Sequence, residues 1–186
     1  MIEGQKVTLR PREPADAERT VGWLNDPEVQ QFMGGRYLWS LAAEEAWLRE
    51  RTPKPPEFGD QSFAIETKDG RTIGTIGLHG PSPENRDAWL GIMIGEKDCW
   101  SQGYGTDAIT ALLRFAFDEM NLHRVELQVF ANNARGIACY LKCGFVEEVR
   151  RRQSRYRNGQ WLDELTMGVL RDEFEQIHRR SESAAT

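Results

Sequence analysis

Along the chain the spacing of apolar residues switches between two periods, and each switch marks a candidate element. Positions 6–10, Lys-Val-Thr-Leu-Arg, alternate polar and apolar as a half-buried strand does. Positions 14–25 take helical spacing, with Ala17, Val21 and Leu24 on one side. Asp26 and Pro27 then open a short helix through about Phe32. The Asp26 side chain caps it, and Pro27 sits where a missing N–H removes no helical bond. After an aromatic loop at 37–39, a further helix from Ser40 carries Leu41, Ala42, Trp47 and Leu48, and Pro53, Pro55 and Pro56 punctuate the loop that follows.

Strand spacing dominates next. Positions 62–67, 72–78 and 88–94 read as an antiparallel meander, with Lys68-Asp69-Gly70 turning the first into the second. From Gly103 the period is helical again, because Ile109, Leu112, Leu113, Ala116 and Met120 recur at steps of three and four; Asp107 stands favourably in the first turn. Positions 124–130 predict a strand and 134–142 a short helix. Two strands, 145–152 and 160–169, flank the turn Arg157-Asn158-Gly159, and 178–186 reads as a frayed tail. This order predicts an α+β domain with a mixed sheet, not a series of βαβ units.

Composition narrows the class. A chain of 186 residues with 39% hydrophobic and 28% charged content can bury a full core, so one domain over 1–178 is expected, with a disordered tail at 179–186. The opening residues lack a signal-like apolar region, and no uncharged run is long enough to cross a bilayer, which predicts a cytoplasmic protein without membrane partners. Cys99, Cys139 and Cys143 make no disulfide framework, and His79, His123 and His178 lack ligand spacing, so no metal is expected. The net charge of -5 argues against bulk attraction to nucleic acid. The one basic concentration, Arg150, Arg151, Arg152, Arg155 and Arg157, reads either as a solvated hairpin face or as a surface for an acidic partner.

Candidate chemistry begins at Trp100-Ser101-Gln102-Gly103-Tyr104-Gly105-Thr106, where an apolar strand gives way to an amphipathic helix. N–H groups at a helix N-terminus point outward with the positive end of the dipole, and glycine lets an anion reach the backbone. Gln102, Gly103, Tyr104, Gly105 and Thr106 therefore read as a cradle for a pyrophosphate, or more plainly as a turn before a helix. Gly103-x-Gly105-x-x-Ala108, with Glu126 downstream, also satisfies the spacing of a dinucleotide fingerprint, so an NAD(P)-binding oxidoreductase is an alternative. Residues 95–102, which separate the strand from the glycines, speak against it.

Downstream, Asn133-Ala-Arg-Gly-Ile-Ala-Cys-Tyr140-Leu-Lys-Cys-Gly144-Phe145 is a short helix with Asn133 as N-cap and Gly144 as its left-handed stop. Loop and helix together resemble the GCN5-related N-acetyltransferases, whose loop has the form Gln/Arg-x-x-Gly-x-Gly/Ala and whose later helix reads Asn-x-x-Ser/Ala-(three residues)-Tyr-x-Lys-x-Gly-Phe. With Trp23-Leu-Asn-Asp-Pro-Glu-Val29 and the turn at 158–160, the resemblance runs from about residue 5 to 174 and is strongest to the ribosomal-protein and spermidine acetyltransferase branch. Trp100 and Gly136 depart from the pattern, which has Gln or Arg at the first and Ser or Ala at the second.

The resemblance implies a mixed, mostly antiparallel sheet of about seven strands flanked by helices, splayed between the fourth strand, 88–94, and the fifth, 124–130. Gly91 suits such a splay. Acetyl-CoA would lie in the wedge as acyl donor. The backbone of Ile92, Met93 and Ile94 would meet its pantetheine, residues 102–106 its pyrophosphate, Asn133 the pantetheine arm and Lys142 an outer phosphate. Tyr140 would protonate the departing thiolate, since a phenol pKa of about 10 is close to that of an alkyl thiol. Packing on the face of Ile137 and Leu141 is the plainer reading of Tyr140, and small buried hydrophobes that of Cys139 and Cys143. Asp87, Glu126 and His79 are candidate bases, and none is required if a desolvated pocket deprotonates the amine.

The acceptor is expected beneath the early helices, where Asp26 and Glu28 would attract a cationic amine and Phe32, Tyr37 and Trp39 would wall it. A polyamine, an aminoglycoside-like amine and a protein N-terminus all fit. The expected activity is N-acetyl transfer to a primary amine by direct attack; a non-catalytic acyl-CoA-binding module is the alternative from another class. A homodimer is left open.

Overall fold

The computed structural model describes residues 1–35, 37–51 and 58–183, with positions 51 and 178–183 as backbone only. The strand-forming segments join one eight-stranded sheet: β1 (Ile2–Glu3), β2 (Val7–Pro11), β3 (Gln61–Thr67), β4 (Thr72–Ser82), β5 (Asp87–Ile94), β6 (Arg124–Phe130), β7 (Val146–Arg157) and β8 (Gln160–Leu170). Across the sheet the order is β1-β2-β3-β4-β5-β6-β8-β7. All neighbouring pairs are antiparallel except β5 and β6. A single parallel pair is incompatible with the repeated βαβ units of a dinucleotide fold, which removes the structural basis of the oxidoreductase alternative.

That parallel pair is also short. β5 and β6 are in register only at Asp87–Trp89 with Arg124–Glu126, and from Leu90 onward β5 keeps β4 as its partner but has none on the β6 side. The expected splay between 88–94 and 124–130 is therefore present. The eighth strand is β1, whose two residues are too few to announce a period in sequence.

The helices are α1 (Ala17–Asn25), α2 (Pro27–Gln30), α3 (Leu41–Arg51), α4 (Tyr104–Arg114), α5 (Ala134–Lys142) and α6 (Arg171–Ser183). α4 turns Ala108, Ile109, Ala111, Leu112 and Leu113 onto the sheet, against Leu9, Ile65, Ile76, Leu78, Val125 and Leu127. Full burial of each large aliphatic is worth about 1.5–3 kcal/mol, which makes this layer the core. Asp107 does more than favour the helix dipole: its carboxylate accepts from the amides of Gln5 at 2.9 Å, Lys6 at 2.7 Å and Val7 at 3.0 Å, tying the start of α4 to the β1–β2 turn.

Asp26 caps α2 as expected, accepting from the Glu28 amide at 2.8 Å, and Pro27 is its first residue. The buried face of α1 differs from the expected Ala17, Val21 and Leu24; it is Ala17, Thr20 and Trp23. Trp23 lies on Gly95, where any Cβ would overlap its ring, donates from its indole to Glu96 at 3.1 Å, and builds a second small cluster with Val29 and Met93. The large ring area outweighs the aliphatic pair. At the chain's end the expected frayed tail from His178 is helical through Ser183; the proline loop at 53–56 and positions 184–186 lie outside the described residues. Among the described residues no helix is long and apolar enough to cross a membrane.

The arginine-rich hairpin engages its own sheet. Arg150 pairs with Asp163 at 3.2 Å, and Arg151 and Arg155 share the buried Glu164 at 3.1 and 2.6 Å. Asn158 and Gly159, at φ of 49° and 79°, form the turn that joins β7 to β8 and require the left-handed region. Arg157 leaves the hairpin to donate to the carbonyls of Met33 and Gly35 in the loop after α2.

A buried ion pair joins the helical layer to the sheet edge. Arg12 donates to Glu44 of α3 at 2.5 Å and to Thr20 of α1 at 3.0 Å, with the side chains of Arg12 and Glu44 only 7% and 3% exposed. Removing one partner of such a pair strands a charge, whereas removing both does not. Glu44→Ala is expected to destabilise the fold by about 3–5 kcal/mol, read as a lower urea midpoint, and Arg12→Met in the same chain recovers most of the loss. A single-variant loss under about 1 kcal/mol would show that the pair is solvated in solution.

Candidate active site

The site is built where β5 loses β6. After Ile94 the chain makes a short 3-10 turn, Lys97–Cys99, and reaches α4 through Ser101 at φ 60° and Gly103 at φ 86°. Gly103 is the N-cap of α4, and no side chain caps that end. Helix geometry leaves the amides of Tyr104, Gly105 and Thr106 without carbonyl partners inside α4. The loop is held from behind, since Gln102 donates its side-chain amide to the Asp98 carbonyl and Lys6 donates to the Gln102 carbonyl at 2.8 Å.

α5 closes the other side. Asn133 caps it by accepting from the Gly136 amide at 3.0 Å. A Cβ on residue 136 would stand 2.6 Å from the Asn133 side-chain nitrogen, so an alanine or serine here would go with a shifted Asn133 amide. Cys139 meets Thr106 of α4, with Sγ and Oγ1 3.3 Å apart, and Cys143 reaches the Thr106 carbonyl at 3.7 Å. Two thiols and one threonine thus pin α5 to the first turn of α4.

Between them lies a cleft of about 380 Å³. Ile92, Met93 and Ile94 from β5, Gly103, Gly105 and Thr106 from the start of α4, and Asn133, Tyr140 and Lys142 from α5 and its N-cap line it together. Two expected residues do not. The Gln102 side chain turns back to Asp98, and Tyr104 packs on the core with Lys6 over its ring, so neither side chain lines the cleft. Ile94 is also altered, because its carbonyl accepts from the Trp100 indole at 2.7 Å.

Of the expected acceptor wall, Phe32 lines the cleft whereas Tyr37 and Trp39 do not, and Val29 and Met33 from α2 and its loop, with Trp100 and Arg135 beside the α4 turn, join it unannounced by the motifs. Trp100 was visible as a departure from the pattern, but Arg135 carried no signal, being one more charged residue in the first turn of a helix.

Burial dominates the chemistry of Tyr140. Its ring packs edge-on to Phe145, centroids 6.1 Å apart, and desolvation raises the phenol above its ordinary value, with Cys139 and Cys143 adding to the effect. The expected near-match to an alkyl thiol is therefore shifted toward a weaker, firmly protonated acid. Of the candidate bases, Glu126 is held by Arg124 at 3.0 Å, and Arg124 also holds Glu148. His79 lies over the paired glycines Gly77 and Gly91, its Nδ1 3.6 Å from Asp60, and a Cβ on residue 91 would come within 3.3 Å of its ring. Room for this imidazole is the local reason for Gly91. Asp26 and Glu28 are engaged by Lys97 at 2.9 and 3.5 Å, and that hydrogen bond holds the Asp26 carboxyl below its usual range.

The cysteines separate by environment. Interaction with Cys143 and Thr106 lowers the Cys139 thiol, while Cys143, beside Cys139 and buried, is raised; burial also raises Cys99. Only a thiolate alkylates, so iodoacetamide is expected to label Cys139 at lower pH than either other cysteine. Peptide mapping of the label across roughly pH 6–9 checks this, and a common onset for all three would refute the assigned hydrogen bonds.

Comparison with known proteins agrees with this geometry. Residues 6–146 match the family model described as Acetyltransferase (GNAT) domain. YdaF of Bacillus subtilis (strain 168), named as a candidate ribosomal N-acetyltransferase, is 30% identical over 177 residues, covering 92% of this chain and 94% of that protein. The uncharacterised N-acetyltransferase YoaA of the same organism is 26% identical over 172 residues, covering 92% and 97%. The crystal structure of spermidine N-acetyltransferase from Vibrio cholerae, determined in complex with CoA and spermine, shares the fold with a TM-score of 0.83 at 23% identity, over 91% of this chain and 98% of that one. With a family match over most of its length and the splayed sheet that houses the cleft, the chain belongs to the acetyltransferase (GNAT) domain family.

Proposed function

We propose that this chain transfers an acetyl group from acetyl-CoA to a primary amine by direct attack within a ternary complex. The observation that carries the reading is a single cleft in which unpaired α4 amides, the free edge of β5 and the Tyr140 side chain converge. The residues suit the donor. Backbone N–H groups at a left-handed glycine leave room for a pyrophosphate, and the unpartnered strand offers amide and carbonyl groups to an extended pantetheine.

Acetyl-CoA supplies the activated acyl group. Residues 103–106 orient its phosphates, Asn133 faces the arm, and the backbone of Ile92 and Met93 fixes the reacting end. Tyr140 holds a proton at Oη for the sulfur as negative charge develops there. Its raised pKa keeps that proton in place at working pH, and a sulfur desolvated in the same cleft becomes basic enough to take it. The apolar wall of Val29, Phe32 and Met33 favours the neutral form of an incoming amine, so no carboxylate base is needed there. Small-molecule amines and protein N-terminal amines both meet these requirements.

Tyr140→Phe is expected to lower kcat by about 10²-fold or more while changing the donor KM little, measured as thiol release with a panel of amines. Because burial raises the phenol, wild-type kcat should show no loss from its ionisation below about pH 10. Undiminished activity in the variant would remove Tyr140 as the acid. CoA binding without turnover on any amine would indicate a binding module instead.

A further inference from the structure

Two thiols of α5 have no part in acetyl transfer as derived above. Cys139 and Cys143 stand one helical turn apart on the same side of the helix, and both meet Thr106 in the first turn of α4. Cys139 is half-buried and lines the cleft, where a small solute can reach it, whereas Cys143 is buried.

The surroundings of Cys139 favour a thiolate. Its Sγ is 3.3 Å from the Thr106 hydroxyl, and a Cβ on residue 105 would stand 3.6 Å from it, so the sulfur lies against the turn whose amides lack carbonyl partners inside α4. A thiol at a helix N-terminus gives up its proton readily. Interaction with Cys143, then with Thr106 and the Lys142 ammonium, acts in the same direction. Cys99 also lines the cleft, but burial and the neighbouring Asp98 carboxylate raise it.

Cys143 is placed to finish a reaction begun at Cys139. Cβ atoms four residues apart on a helix are separated by about 5–6 Å, and a disulfide needs about 3.5–4.5 Å. Cys143 is the C-cap of α5 and precedes Gly144 at φ 96°, so unwinding of the last turn closes the gap. That turn carries Tyr140 and Lys142.

We propose that Cys139 is a peroxide-reactive thiol, that Cys143 resolves it, and that the resulting disulfide disables the cleft. The Cys139 thiolate attacks an oxygen of a hydroperoxide; the O–O bond breaks, hydroxide or alkoxide leaves, and Cys139 becomes a sulfenic acid. The Cys143 sulfur then attacks that of Cys139, the S–O bond breaks, and the oxygen departs as water with the Cys143 proton. Both thiols are oxidised and the peroxide is reduced. The disulfide takes Cys139 off Thr106 and draws the end of α5, with Tyr140, out of place. The loss of activity rests on the acetyl-CoA reading above; the thiol chemistry does not.

Mass mapping and turnover of wild type, Cys143→Ser and Cys139→Ser after hydrogen peroxide, quenched with catalase, test it. Wild type is expected to form a 139–143 disulfide and to lose about 10²-fold in kcat/KM, the cost of misplacing a site by about 1 Å, with recovery in dithiothreitol. Cys143→Ser should stop at a Cys139 sulfenic acid that dimedone captures, and longer exposure should carry it to sulfinic acid, beyond thiol rescue. In Cys139→Ser, Cys143 should stay reduced and the variant should keep most of its own untreated rate. Oxidation beginning at Cys99, disulfides between chains, or an equal loss in Cys139→Ser through Met93 of the cleft would overturn the assignment. A disulfide that leaves CoA binding and turnover intact would overturn the switch and spare the transferase reading. Reduced protein that neither binds CoA nor turns over would remove that reading, with the mapped disulfide still deciding the thiol pair.

Discussion

Between β5 and β6 the parallel ladder lasts three residue pairs and then ends, and a strand edge that loses its partner must be satisfied in another way. Everything at the site follows from that interruption. It frees the backbone of residues 90–94 on one side, opens a passage between the two faces of the sheet, and lets α4 begin with its amides aimed into the opening. A sheet that stayed paired to its end would present the same residues with no cleft between them. The Ile94 carbonyl shows the pressure to find partners, since the Trp100 indole has already taken it.

Holding such a gap open requires ties on both sides. On the α4 side, Asp107 gathers three amides of the β1–β2 turn, and Lys6 fixes the Gln102 carbonyl, so the glycine loop is anchored to the opposite edge of the sheet. On the α5 side, Thr106 meets Cys139 and Cys143. The third wall comes from the loop after α2, and Arg157 secures it by donating to the carbonyls of Met33 and Gly35 from the tip of the β7–β8 hairpin. The arginine-rich segment thus serves the site through one member, while its neighbours neutralise Asp163 and the buried Glu164.

Charge is distributed to the same end. Asp26 and Glu28 are engaged by Lys97 and Glu126 by Arg124, whereas the cleft cations Arg135 and Lys142 make no ion pair among the described residues. The polar groups left available are donors: helix amides, a guanidinium, an ammonium and a phenol kept protonated by burial. An interior of donors around an apolar channel is complementary to an anionic molecule with an apolar arm.

Local signals determined much of this in advance. Period changes located α4, α5, β6 and the meander β3–β5, because burying one face imposes a spacing that neighbouring residues alone reveal. Gly103 and Gly105, Asn133 and Tyr140 were legible because backbone geometry and a compact motif require them at those places. The β1 pair was too short to carry a period, and the buried face of α1 turned on Trp23 finding Gly95 and Glu96, more than seventy residues away. Asp107 looked like a helix-dipole residue until the β1–β2 turn arrived over it. Arg135 gave no sign at all, since its meaning depends on the ring of Trp100 beneath it. Sequence alone determined most of the elements and the glycine turn that opens α4, which obey short-range rules; tertiary structure decided which described charges pair, because that depends on which distant groups the fold brings within reach.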